Sequence, residues 1–126
     1  MSFDWADFLT LAHELSTSPA GDQLREAKLR SAISRAYYAS FHHARNYYKA
    51  RYKREPPGSG AAREHASLPT ALTQSGWPNE KQAGRYLSEL RRYRRKADYK
   101  VSPMPDDWYA IQALQLAREI IDILQA

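Results

Sequence analysis

The chain has 126 residues, no cysteine and a net charge of +5. That length suits a single domain over residues 1–126 with a buried core, and the missing cysteine excludes disulfides and thiolate metal sites. No apolar run approaches the length of a membrane span, and the opening MSFDWADFLT is acidic and amphipathic rather than a signal peptide, so the expectation is a cytoplasmic protein with no membrane partner.

Phe3 to Leu15 places Phe3, Phe8, Leu11, Ala12 and Leu15 at helical spacing, and TSPAG ends that segment. Asp22 to about Tyr52 then runs without proline or glycine, which predicts one long helix. KREPPGSGAA reads as a flexible loop. Arg63 to Gln74 predicts a shorter helix closed by SGWPN, and Asn79 to about Tyr99 another, with Gly84 as its one weak point. VSPMPDD breaks the chain again, and Asp106 or Asp107 caps a last helix whose stripe is Ile111, Leu114, Ala117, Ile121 and Leu124. β-branched residues are scarce and no alternating run appears. The expected fold is all-α, an up-and-down bundle of about five helices with one long central helix.

Charge is concentrated in two places. Asp22 to Arg54 carries +7 and Arg85 to Lys100 carries +5, while the rest of the chain sums to −7. Two solvated helix faces would account for this, and so would a polyanionic partner.

On the long helix, Leu29, Ile33, Ala36, Tyr37, Ser40, Phe41, Ala44, Tyr47 and Tyr48 share a broad core face. A second stripe holds Ser31, Arg35, Tyr38, His42, Arg45 and Lys49 within roughly 80°. It is either a solvated face or a groove wall for phosphates and bases, since guanidiniums, a phenol and an imidazole suit a nucleotide. A narrow seam of Ala32, Ala36 and Ala39 runs between the two, and a second non-polar face of this kind points to a homodimer partner. His42 and His43 are adjacent, hence about 100° apart, and have no acidic residue three or four positions away, so no metal site is expected.

LRRYRRKADYK, Leu90 to Lys100, is not uniform. Ala83, Tyr86, Leu90, Tyr93 and Ala97 form the expected buried face. Arg94 sits at its edge, about 60° from Ala97, with Asp98 as its i+4 neighbour. Arg91, Arg92 and Arg95 point outward. Tyr99 would lie about 140° from Arg94 if the helix continued.

AISRAYYASFHHARNYY resembles the signature helix of HEPN domains, and REHASLPTALTQSGWP the segment that follows it in one bacterial and archaeal group. LSELRRYRRKADYKVS is similar to that group's L-x-x-L-x-x-x-R-x-x-ADY stretch, and DDWYAIQALQLAREIIDIL fits its closing helix. The resemblance runs from about Leu24 to Leu124. It implies a helical bundle that pairs as a homodimer, in which an R-x4–6-H motif from each subunit lines a cleft. In such proteins the Arg holds RNA phosphate and the His supports metal-independent cleavage. It also implies a toxin–antitoxin or defence setting, with a small nucleotidyltransferase as partner.

Arg94 matches the motif arginine, but the residue five further on is Tyr99, and no histidine follows His65. A phenol with a reference pKa of about 10 is a poor base at neutral pH. The AMP-accepting Tyr of one group is matched by Val101. The resemblance therefore favours a nucleotide-, RNA- and partner-binding module with no cofactor. Arg35, Tyr38, His42, Arg45, Arg91, Arg94, Arg95 and Asp98 are its candidate contacts. One alternative is a ribonuclease toxin with a rearranged site, using Arg94, Tyr99 and His42 or His43. Another is a dimerisation bundle whose charge only aids solubility.

Overall fold

The computed structural model describes residues 4–58, 63–100 and 107–125, and among them there are helices and no strands. The helices are α1 (Ala6–Ser16), α2 (Arg25–Tyr52), α3 (Glu64–Thr73), α4 (Pro78–Tyr99) and α5 (Trp108–Ile123). α1, α4 and α5 pack around α2, α5 also touches α1 and α4, and α3 lies against α4. The fold is an all-α bundle. Phe3, Asp106 and the glycine-serine part of the expected loop lie outside the described residues.

Helix ends follow local chemistry. Before α2, Asp22 accepts the Leu24 N–H at 2.8 Å, the Lys28 ammonium at 2.6 Å and the Ser18 hydroxyl at 2.9 Å. Lys28, then Leu24 and Ser18, hold its carboxyl at a pKa of about 2. α2 ends where Lys53 turns left-handed, with φ of 56°. α4 begins with Pro78, whose missing N–H costs nothing in a first turn. At its far end the Arg30 guanidinium reaches the carbonyls of Ala97 at 2.9 Å and Lys100 at 2.8 Å, which α4 itself leaves unpaired. Asp107 precedes α5 but makes no side-chain cap, because its carboxylate faces Arg25 at 3.6 Å.

Three expected faces are corrected. The seam of Ala32, Ala36 and Ala39 is buried within one chain and is not free for a partner. It lets neighbouring helices approach α2 closely. On α4 the core line runs through Ala83, Gly84, Leu87, Leu90, Arg94 and Ala97, and Tyr86 and Tyr93 are only half-buried. On α5 it runs through Ala110, Ala113, Leu114, Ala117 and Ile120, leaving Ile111 51% exposed. In both helices small residues and one arginine take places that hydropathy assigns to larger apolar groups.

Gly84, read from sequence as a weak point, is where α3 crosses α4. A Cβ there would stand 2.7 Å from the Pro69 carbonyl and 2.5 Å from the Thr73 hydroxyl. Gly84→Ala should therefore lower stability by roughly 2 kcal/mol through overpacking, despite alanine's better helix propensity. A thermal melt of the variant at or above the wild-type midpoint would contradict this.

A buried carboxylate ties α2 to α4. Glu80, 1% exposed, accepts the hydroxyls of Tyr47 at 2.6 Å and Tyr52 at 2.5 Å, with Arg51 at 3.7 Å. Burial alone would raise its pKa, but bonds from Ser75, Tyr47 and Tyr52 and the charge of Arg51 hold it below the ordinary 4.5. Its stabilisation is thus complete above pH 4.5 and is lost as the pH falls through the lower folded value. Glu80→Gln should cost roughly 2 kcal/mol at neutral pH and flatten the acid limb of a stability–pH profile. An unchanged acid limb would show that another carboxylate sets it.

Candidate functional site

Arg94 projects from α4 into the seam with α2 and is 9% exposed. Its guanidinium carbon lies 5.0 Å from the Tyr37 ring centre and 5.7 Å from that of Tyr38. Its Nη1 is 3.4 Å from Asp98 Oδ2, which the Ser34 hydroxyl approaches at 3.5 Å. Burial works against this charge, but Tyr38, Tyr37 and Asp98 outweigh it and raise the pKa. Its Nε is buried with no hydrogen-bond partner among the described residues, as are those of Arg35 and Arg91.

The Tyr37 hydroxyl lies 2.6 Å from Nδ1 of His65, on α3. Burial pushes this phenol up to about 12, against the nearby charges of Arg94 and Arg91, so it stays protonated. Where the protonated phenol donates to Nδ1, the ring proton of neutral His65 lies on Nε2; in the other tautomer Nδ1–H donates to the phenol oxygen. The imidazole stacks on Phe41 with centres 4.3 Å apart. Burial, then the charges of Arg94 and Arg91, lower its pKa, and Glu64 opposes them.

Two hollows adjoin this cluster. One, of about 540 Å³ between α3 and α4, is lined by His65, Arg85, Glu89, Arg91, Arg92 and Arg95 among others. The second, of about 530 Å³ between α2 and α4, is lined by Arg30, Ser34, Arg35, Asp98 and Tyr99 among others.

The structure thus brings Tyr38, Arg91, Arg94 and Asp98 around one centre and disperses the other expected contacts. Tyr99, the last residue of α4, is 71% exposed. His42 stacks on Trp5, with centres 3.5 Å apart and planes 13° apart. Arg35 lies over Phe8 at 5.4 Å. Arg45 is paired with Glu64 at 2.7 Å and Glu55 at 3.0 Å. Arg95 lines the α3–α4 groove. His43 donates to the Leu124 carbonyl at 2.8 Å. The polar stripe of α2 is therefore not one open wall, because Trp5 and the α1 residue Phe8 lie on it.

His65 and the polar end of Tyr37 were missed from sequence. Their signal was present: a core tyrosine needs a hydrogen-bond partner for its hydroxyl, and few side chains were available to supply one.

A family model described as HEPN domain matches residues 15–126. The chain belongs to the HEPN domain family. No curated protein and no solved structure compared with it matches. Among the described residues of this HEPN domain, no three His, Asp or Glu side chains are grouped to hold a metal ion. No helix there is long and apolar enough to cross a membrane.

His65 should titrate below 6.5, because burial and two arginines disfavour its charged form. Arg91→Gln removes one of those charges and should move the midpoint upward. NMR of the imidazole Cε1 proton measures both, and a wild-type midpoint above 6.5 would contradict the cluster's electrostatics.

Proposed function

We infer that this HEPN domain is a binding module for RNA or nucleotide and for a partner protein, without efficient catalysis. It works as a homodimer in a toxin–antitoxin or defence setting, beside a small nucleotidyltransferase. The observation that carries the reading is the state of the motif. Arg94 is buried and paired with Asp98, and the position where the family's catalytic histidine would stand is an exposed tyrosine. A phenol can stack on a base or donate a hydrogen bond, but it shuttles protons poorly near neutral pH. The basic stretch of α4 supports a polyanionic ligand, and resemblance within the family supports the partner and the pairing.

One observation favours a second reading, a metal-independent ribonuclease with a rearranged site. A neutral imidazole, that of His65, is linked through Tyr37 to Arg94. His42 and His43 are already engaged with Trp5 and Leu124.

The test is RNA cleavage in EDTA by wild type, Arg94→Ala, Tyr99→Phe and His65→Gln. The binding reading expects no rapid cleavage by any of them, a mass of two chains by light scattering, and RNA affinity that falls steeply with salt. Arg94→Ala should also cost roughly 2 kcal/mol of stability. Rapid cleavage by the wild type that is lost in Arg94→Ala and Tyr99→Phe would make Tyr99 catalytic and sink the reading. Loss in both His65→Gln and Arg94→Ala, with Tyr99→Phe still active, would select the second.

A further inference from the structure

The basic residues of this domain divide into those that are already neutralised and those that are not. Arg30, Arg45 and Arg51 on α2 each lie against a carboxylate of Glu26, Glu64 or Glu80. Arg94 is tied to Asp98. Among the described residues, no ion pair involves Arg85, Arg91, Arg92 or Arg95, and all four line the hollow between α3 and α4. The single carboxylate in that hollow, Glu89, accepts the Tyr93 hydroxyl at 3.0 Å.

The opposite wall supplies a neutral donor. Nδ1 of His65 is taken by Tyr37, and Nε2 has no hydrogen-bond partner among the described residues; it carries the proton in the tautomer in which Tyr37 donates to Nδ1. The hydroxyls of Thr70 and Thr73, which also line the groove, are spent on the carbonyls of Ala66 and Pro69. What remains is a concave surface of four guanidiniums, one imidazole edge and the Ser88 hydroxyl, in which donors outnumber the acceptors of Ser88 and Glu89. Fork-shaped donors of this kind match phosphate oxygens in pairs.

We propose that the α3–α4 groove is the phosphate-binding site of the domain and takes the backbone of single-stranded RNA. Arg91, Arg92 and Arg95 receive phosphate oxygens from α4, and His65 Nε2–H donates from α3. Arg94 does not touch the ligand. It is a positioning residue, whose guanidinium packs over the ring of Tyr37, the residue that holds His65 Nδ1. This assignment rests on the RNA-binding reading given above and moves the contact from the motif arginine to its unpaired neighbours.

The experiment uses the whole chain and a labelled oligouridine of about ten nucleotides, the span of an ordinary single-strand site. Binding is titrated against salt for wild type, Arg91→Gln/Arg95→Gln and Lys53→Gln, a change in the other basic segment. The double variant should lose about tenfold in affinity at low salt. Its log–log salt slope should be shallower by about 1.4, at 0.7 per phosphate contact on a single strand. Lys53→Gln should bind as wild type. RNA should also shift the His65 ring resonances of the wild type, and polyglutamate of equal charge should not displace the RNA. If the double variant keeps wild-type affinity and slope, the groove assignment falls while RNA binding stands. The same holds if polyglutamate competes as well as RNA. If the wild type binds no RNA even at low salt, both the assignment and the reading beneath it fall.

Discussion

One buried cation organises the centre of this molecule. Arg94 enters a place on α4 that an apolar side chain would ordinarily fill, and the surroundings are built to receive it. Two tyrosine rings offer their faces, Asp98 one turn on offers a carboxylate, and Ser34 bonds to that carboxylate in turn. A guanidinium is weakly hydrated and can lie between rings at a desolvation cost that an ammonium would not meet as easily. Tyr37 packs its ring on this cation and holds Nδ1 of His65 with its hydroxyl. The interaction within the bundle and the geometry at its surface are therefore one arrangement.

This explains which parts of the fold were legible in the sequence. Pro78, the proline-rich breaks and the uninterrupted run through Tyr52 marked the helices to within a few residues, because they act through local backbone geometry. The faces were less legible. Hydropathy counts Arg94 as surface and Tyr86 as core, so it rotates the expected α4 stripe away from Leu87. It also undervalues the alanines of α5, where close approach matters more than side-chain size. Gly84 was misread for the same reason: its meaning lies in the α3 backbone that crosses it.

The site was legible only in part. Arg94, Asp98 and Arg91 are contiguous on one helix and can be related by turn geometry. His65 lies on another helix and joins them through a hydrogen bond across the core, which no spacing rule encodes. Net charge was a coarse guide as well. The α2 segment holds more positive charge than the α4 segment, yet part of it is offset by Glu55, Glu64 and Glu80 from outside that segment. What matters to a ligand is the charge left over after internal pairing, and that is a property of the fold.

The position of α3 has a consequence for how the molecule opens. α3 packs mainly on α4, whereas α2, α4 and α5 each share several neighbours. Lifting it would break the Gly84 crossing, the Tyr37–His65 bond and the Arg45–Glu64 pair and would expose Leu68 and Leu72. A helix with one main neighbour is the kind of element in which local opening costs less than global unfolding. One wall of the groove thus rests mainly on a single helix while the other packs against three. A ligand held across both walls would close that jaw, and its first trace would be slower amide exchange in α3, before any change in the core.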